Sequence, residues 1–308
     1  MGLYLLRRLL LAMPTLVVVY TLAFLLMHSI PGGPWDIREK PLPHQVLTNL
    51  KAKYHLNKPI WEQYLAYLRD ALRGSLGPSY VNPSLDVGGI IGQSFPVSFQ
   101  LGIVAMLFAV LVGTPLGSLA AVHRNTITDY IATGSVLIGV AIPNYVVATI
   151  LIVILAVFLH WLPTGGWVGV WDSRVVIPAI AIGLRPATML ARYLRASLLE
   201  ALGQDYIRTA KAKGLSRLSV LVRHGLRNAL LPVATISGLL VADVITGSFY
   251  VETITRVPGM GQYFVRAATG HDYPVVLGLT LVYAGAIIAM NILADLSYAL
   301  LDPRIRYE

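Results

Sequence analysis

Six stretches of this chain run apolar for about the roughly 20 residues that a helix needs to cross a bilayer. Leu9 to Ile30, Val97 to Val122 and Ile131 to Leu159 contain no Asp, Glu, Lys or Arg. Val175 to about Leu194 is interrupted by Arg185 and Arg192, Ala229 to Tyr250 by Asp243, and Pro274 to about Leu300 by Asp295. Pro143, Pro178 and Pro232 fall inside these stretches or near their ends, where membrane helices tolerate proline because neighbouring helices re-satisfy the freed backbone groups. The pattern predicts an all-α polytopic membrane protein with six transmembrane helices. Arg7 and Arg8 resemble the head of a signal peptide. The apolar run that follows is too long for one, and "HSIPGGP" offers no small-x-small cleavage site, so the first helix is expected to be retained.

The polar intervals have patterns of their own. Residues 1–30 are assigned to the first transmembrane helix, 31–96 to a small extracytoplasmic helical insert, and 97–308 to a core holding helices two to six. In the insert, "HQVLTNLKAKYHL" places Val46, Leu47, Leu50 and Tyr54 on one helical face. "PIWEQYLAYLRDALRG" starts with Pro59 at a first-turn position and puts Trp61, Leu65, Leu68 and Leu72 on one stripe. The outer loop from His160 to Arg174 carries Trp161, Trp167 and Trp171, which suit interfacial anchoring. The outer loop 251–274 is too long for a tight turn and is expected to dip toward the pore or lie on the outer surface.

One interval differs from the rest. From Tyr206 to Pro232 the chain reads "YIRTAKAKGLSRLSVLVRHGLRNALLP", with six Lys and Arg and no acid. Asp205 is placed to cap a helix beginning at Tyr206, and Gly214 to end it. Eight helical residues span roughly 12 Å. Ser216 is placed to cap a second helix whose apolar face is Leu218, Leu221, Val222, Gly225 and Leu226, with Arg217, Arg223 and Arg227 turned away. A two-turn helix is not stable alone in water and must dock on something. Thr209, Ala210, Ala212 and Gly214 are small enough for another backbone to approach closely, and positive charge alone would require neither caps nor alanines.

Composition agrees with the pattern. Residues are 56% hydrophobic and 13% charged, with a mean hydropathy of +0.67, against about 25% charged in soluble domains. The net charge of +9 is a topology signal here, not the footprint of a nucleic acid, and no nucleic-acid partner is expected. With a cytoplasmic N-terminus, the inside segments hold Arg7, Arg8, Arg124, Arg192, Arg195, Arg208, Lys211, Lys213, Arg217, Arg223, Arg227, Arg304 and Arg306, and the short outside loops only Arg174, Arg256 and Arg266. That imbalance places both termini, and the 206–232 interval, in the cytoplasm.

Catalytic chemistry is scarce. No cysteine is present and no Lys follows a Gly, so thiolate chemistry and the GxxxxGK[ST] phosphate loop are excluded. HExxH and GxSxG are missing, and no two histidines stand four apart. Charged groups inside spans are functional candidates because insertion at the bilayer centre costs about 2.5–3.5 kcal/mol. Asp243 sits mid-span and Arg185 within its own span, so the two can neutralise each other. Asn291 and Asp295 lie one turn apart and suit helix–helix hydrogen bonding. A proton-coupled transporter working alone through Asp243 or Asp295 stays open as an alternative, as does an intramembrane hydrolase.

The interval "RTAKAKGLSRLSVLVRHGLRNALLP" resembles the cytoplasmic EAA loop of permease subunits from bacterial ABC importers, with Ala210 and Gly214 at the marked Ala-x-x-x-Gly positions. "LLRRLLLAMPTL", "PGGP", "AKYHLNKPI", "QSFPVSFQLG", "HWLPTGGW", "VETITRVPGMGQ", "DYPVVLGLT" and "NILADLSYALLDPRIRY" carry the resemblance from end to end. Together they look like the B-type permease of the oligopeptide/dipeptide importers, in wording closer to the oligopeptide branch. The resemblance implies a type I ABC importer permease fold in the bacterial inner membrane. It implies a pore shared with a homologous C-type permease, two cytoplasmic ATPase subunits, and an extracytoplasmic substrate-binding protein that delivers peptide. ATP and Mg would be bound by the ATPases, and this chain would carry no cofactor. Asp205, Tyr206, Arg208, Thr209, Ala210, Lys211, Gly214 and Arg217 in the coupling loop, about 200–228, would meet the ATPase. Arg185, Asp243, Asn291 and Asp295 would lie along the translocation pathway. Asp243 and Arg185 depart from the small or apolar residues usual in the family.

Overall fold

The computed structural model describes residues 2–36, 43–245 and 248–301. Its helices follow in chain order as α1 (Gly2–Ser29), α2 (His44–Lys53), α3 (Ile60–Leu72), α4 (Val87–Val122), α5 (Ile127–Ala141), α6 (Asn144–Leu151), α7 (Val176–Leu202), α8 (Asp205–Ala212), α9 (Arg217–Ser219), α10 (Arg227–Ile245), α11 (Phe249–Ile254), α12 (Met260–Thr269) and α13 (Tyr273–Leu301). Wider π-helical turns continue α6 over Ile152–Phe158 and join α9 to α10 over Val220–Leu226. Arg304 and Arg306, counted above as cytoplasmic charges, lie outside the described residues.

Among the described residues, four helices, α1, α4, α7 and α13, are long and apolar enough to cross a bilayer. The other two expected spans are broken. Ile127–Ala141 meets Asn144–Phe158 at 105°, and Arg217–Leu230 meets Pro232–Ile245 at 41°. Each break falls at a proline. Pro143 holds φ −58°, ψ 140° ahead of α6. Its ring removes a backbone donor and pushes the preceding residue out of the helical region. Counting each bent pair as one span gives up to six. The start of α4 also differs from expectation. Asp86 accepts a hydrogen bond from Gly89 N at 3.3 Å, an N-cap that starts the helix well before Val97. Likewise the expected span Ala229 to Tyr250 does not reach Tyr250 as one helix, because Ser248 is extended and caps the separate α11 through Val251 N at 3.4 Å.

The chain divides into two compact units, residues 1–98 with 258–288 and residues 99–257 with 289–308. In the first, α1 and the start of α13 are joined by the insert. Tyr20, Phe24 and Leu277 are buried together, with Tyr64, Tyr67, Leu68 and Leu281 against them. Phe24 and Tyr64 meet edge to face, with centroids 5.4 Å apart. The packed face of α3 is therefore its aromatic one. Trp61, Leu65 and Leu72, expected on the packed stripe, are exposed. Asp272, just ahead of α13, accepts from Tyr80 N at 2.9 Å and from the Ser79 hydroxyl, fixing the segment that leads into α4.

In the second unit, α7 is the common partner of α5, α6 and α10. Small residues set its approach to α4. A Cβ added at Gly113 would stand 2.4 Å from Ala187 O, one at Gly117 2.5 Å from Ala191 O, and one at Gly183 2.4 Å from Ala105 O. Two small-xxx-small registers thus face each other at near-backbone contact, the arrangement that holds membrane helices together where lipid is as apolar as leucine. Leu190, Leu194 and Leu198 fill the core beside it.

Candidate functional site

The candidate loop 206–232 begins with a short helix whose C-terminal end is sharply terminated. Gln204 is the N-cap residue of α8, with extended backbone and no side-chain capping bond. Asp205, expected as the cap, is instead the first helical residue. There its carboxylate complements the positive end of the helix dipole and receives Arg208 Nη1 at 3.4 Å. The other end is as expected. Gly214 adopts φ +77°, a left-handed conformation that costs a residue with a Cβ about 1–2 kcal/mol, and Gly214 N donates to Lys211 O at 3.0 Å. Ser216 caps the next helix by accepting from Ser219 N at 3.3 Å.

The buried face of α8 is Ile207 and Ala210, packed on Val220 and Leu202. Ala210, expected to receive a partner, is 4% exposed and is used inside this chain. Asp205, Tyr206, Arg208, Thr209, Lys211, Gly214 and Arg217 are exposed. In the following helix Leu221, Gly225 and Leu226 pack inward and Arg217, Arg223 and Arg227 are exposed, as expected, but two of the apolar positions differ. Leu218 and Val222 are exposed, while Val220 and Gly225 are buried. The reason is the π-helical stretch: residues five apart share a face there, and Val220 and Gly225 are five apart. Gly225 leaves room for Leu198, whose Cδ1 lies 3.1 Å from where a Cβ would stand.

The intramembrane candidates separate into two groups. Arg185 and Asp243 line one cavity of about 200 Å³ with Asn144, Ser248 and Tyr250. Both are on the exposed side of their helices. Asn291 and Asp295 are half-buried on α13 and are not among that cavity's lining residues. No group of three or more His, Cys, Asp or Glu that could hold a metal occurs among the described residues.

A third pair was not anticipated. Asp129, 3% exposed, receives Arg195 Nε at 2.6 Å and Nη2 at 2.7 Å. Asn125 N at 3.0 Å and Thr133 Oγ1 at 3.4 Å complete the shell. This bidentate pair clamps α5 to α7. The signal was available: Asp129 is the only acid between Asp86 and Asp172.

The family of binding-protein-dependent transport system inner membrane components matches residues 113–307, and its N-terminal component matches residues 1–102. The chain belongs to this family. Among relatives of this permease, a dipeptide transport system permease protein, DppB, of Bacillus subtilis is 44% identical over 306 residues, covering 99% of this chain and 98% of that protein. An oligopeptide transport system permease protein, OppB, of Escherichia coli is 43% identical over 304 residues, covering 99% of each. Dipeptide and oligopeptide relatives are thus equally similar. Solved structures share the fold. The MetNI methionine ABC transporter, inward facing, matches with a TM-score of 0.54 at 18% identity, covering 69% of this chain and 96% of that one. An amino acid ABC transporter solved with histidines gives 0.55 at 14% identity, covering 68% and 94%.

Proposed function

We propose that this chain is the pore-forming permease of an ATP-driven, binding-protein-dependent peptide importer in the bacterial inner membrane. Its full-length likeness to dipeptide and oligopeptide permeases carries the reading. It is not an enzyme: ATP hydrolysis, with its ATP and Mg, belongs to separate subunits. A C-type permease completes the pore, two cytoplasmic ATPases supply the energy, and a substrate-binding protein presents peptide outside. Both termini are cytoplasmic, as the distribution of Arg and Lys requires.

Helix α8 is the coupling element in this reading. Support comes from its terminated C-terminal end and the contrast between its faces: Ile207 and Ala210 are buried in this chain, while Tyr206, Arg208, Thr209, Lys211 and Gly214 remain available to an ATPase, with Asp205 and Arg217 at the edges. The translocation pathway runs past Arg185 and Asp243, with Asn291 and Asp295 further along it. The insert and the outer loop 251–274 form the receiving surface. The deciding experiment is a pull-down of the tagged chain from native membranes with mass spectrometry of what it retains. An ABC ATPase and a homologous permease are expected in near-equal amounts. Peptide uptake driven by a proton gradient in liposomes holding this chain alone would sink the reading.

A further inference from the structure

Helix α3 carries two apolar faces, and only one of them is packed. Tyr64, Tyr67 and Leu68 lie against α1 and α13. Trp61, Leu65 and Leu72 form a second stripe beside them, and all three are exposed, Leu72 to 78%. Beyond the stripe come Glu62 and Arg69, with Arg73 at the C-terminal end. Around the helix the order is thus a packed aromatic face, a bare apolar stripe and a charged face. A contiguous apolar patch of this kind calls for something to cover it.

Depth decides what that is. The Tyr64 hydroxyl donates to Thr21 Oγ1 at 2.8 Å, because the Thr21 proton is already given to Val17 O at 2.7 Å. Thr21 lies eight residues, roughly 12 Å, before the end of α1 at Ser29. A groove lined by Thr21, Phe24 and Leu25 of α1 continues onto Ile60 and Trp61 of α3. Leu25, roughly 6 Å from the end of α1, is exposed. On α13, the partners in the same core are Leu277 and Leu281, roughly 6 and 12 Å in from Tyr273. Two separate spans therefore give one answer: α3 crosses both of them inside their apolar lengths, not above them.

We propose that α3 lies within the outer interface of the bilayer, with Trp61, Leu65 and Leu72 in contact with phospholipid. Lipid is the occupant because the stripe continues the surface of α1, a span with only 11% of its apolar window buried. The apolar face of an interfacial helix sits about 5–10 Å into the boundary between headgroups and acyl chains, which agrees with the depth of the contacts. Tryptophan is favoured at that level for its amphipathic ring. Arg69 and Arg73, exposed beside the stripe, can extend to lipid phosphates. The acid on their side, Glu62, is offset by Lys58 Nζ at 3.6 Å. Only the charged face of α3 is then left for a protein arriving from outside.

The chain has no cysteine, which allows single nitroxide labels. The assembled transporter, otherwise free of cysteine and without its substrate-binding protein, is reconstituted into phosphatidylethanolamine/phosphatidylglycerol vesicles. Labels are placed at Leu65→Cys and Leu72→Cys on the stripe, Leu25→Cys on α1 and Ala66→Cys on the other exposed side of α3. Leu65 and Leu72 are exposed, so neither label displaces a packed side chain. Power saturation compares collisions with oxygen, which concentrates in acyl chains, and with a nickel chelate confined to water. At 65 and 72 oxygen is expected to dominate, as at 25, with labels about 5–10 Å below the phosphates. At 66 the nickel chelate is expected to dominate. Nickel dominance at 65 and 72 would put the stripe in water and overturn the proposal. Slow collision with both reagents at those positions would overturn it as well, because a protein neighbour would then cover the stripe.

Discussion

Removing Arg195 strands the Asp129 carboxylate at a site only 3% exposed, without either of its short guanidinium bonds. A buried charge that loses its partner costs about 3–5 kcal/mol, whereas replacing both partners by apolar groups is often neutral. Arg195→Ala is therefore expected to lower Tm, and Asp129→Leu/Arg195→Met to recover most of that loss, measured by thermal unfolding in detergent. Equal losses in the single and double variants would contradict the pairing. Gly113 makes a second residue-scale case. Gly113→Val forces a Cβ into Ala187 O, 2.4 Å away, where only backbone can yield. The expected loss is roughly 2 kcal/mol or more from overpacking, while the same change at Gly134, with nothing within 4 Å, is expected to be mild. Both features were partly visible in the sequence. Gly113 and Gly117 stand four apart, as do Ala187 and Ala191, and Asp129 is isolated among apolar residues. Spacing cannot reveal that Asp129 meets Arg195, because that contact is set by how α5 packs on α7.

At the scale of elements, local rules placed Gly214 and Ser216 correctly and missed the start of α8 by one residue, where Gln204 rather than Asp205 holds the N-cap position. Gly214 and Ser216 end and start helices because a left-handed turn and a free hydroxyl act locally. After Ser216, Leu221, Gly225 and Leu226 pack inward as expected and Leu218 and Val222 do not, in a segment that winds wider than 3.6 residues per turn. On α3, Trp61 and Leu65 form as good a stripe as Tyr64 and Leu68, and only the presence of Tyr20 and Phe24 selects between them. Helix α8 offers a test that separates docking from folding. Arg208 and Asp205 are 80% and 94% exposed at the side chain, and exposed pairs of this kind contribute little to stability. Arg208→Glu is therefore expected to leave Tm unchanged and to reduce transport-coupled ATPase activity roughly tenfold, about 1.4 kcal/mol of docking. Gly214→Pro acts differently. It removes the N–H that bonds Lys211 O and cannot adopt φ +77°. The α8 end should unravel, with ATPase recruitment lost and membrane insertion intact. Normal coupled turnover in both variants would remove α8 from the mechanism.

At the scale of the molecule, burial and apolarity run in opposite directions. Only 11% of the apolar window of α1 is buried, against 67% of that in Ser173–Leu202, which contains α7 and has the lowest hydropathy of the four long spans. A helix facing lipid must be apolar all round, whereas one surrounded by protein can carry polar residues on the side that meets a cavity or partner. Hydropathy alone could find α7 but could not show that Arg185 lies on its open side, because that follows from which face α5, α6 and α10 cover. Arg185 and Asp243 share one cavity on that unit. If peptide passes there, their charges bias which side chains are accepted. Asp243→Asn removes a negative charge without changing side-chain size and is expected to weaken uptake of cationic peptides severalfold while sparing anionic ones, about 1 kcal/mol of selectivity. Arg185→Gln is expected to shift selectivity in the opposite sense. Competition uptake in vesicles with peptides differing only by Lys, Gln or Glu at one position reads both. If Asp243→Asn leaves the ranking unchanged but lowers Tm, the pair acts in helix packing and the charge filter is rejected. Opposite shifts at unchanged Tm would place both groups in contact with passing peptide.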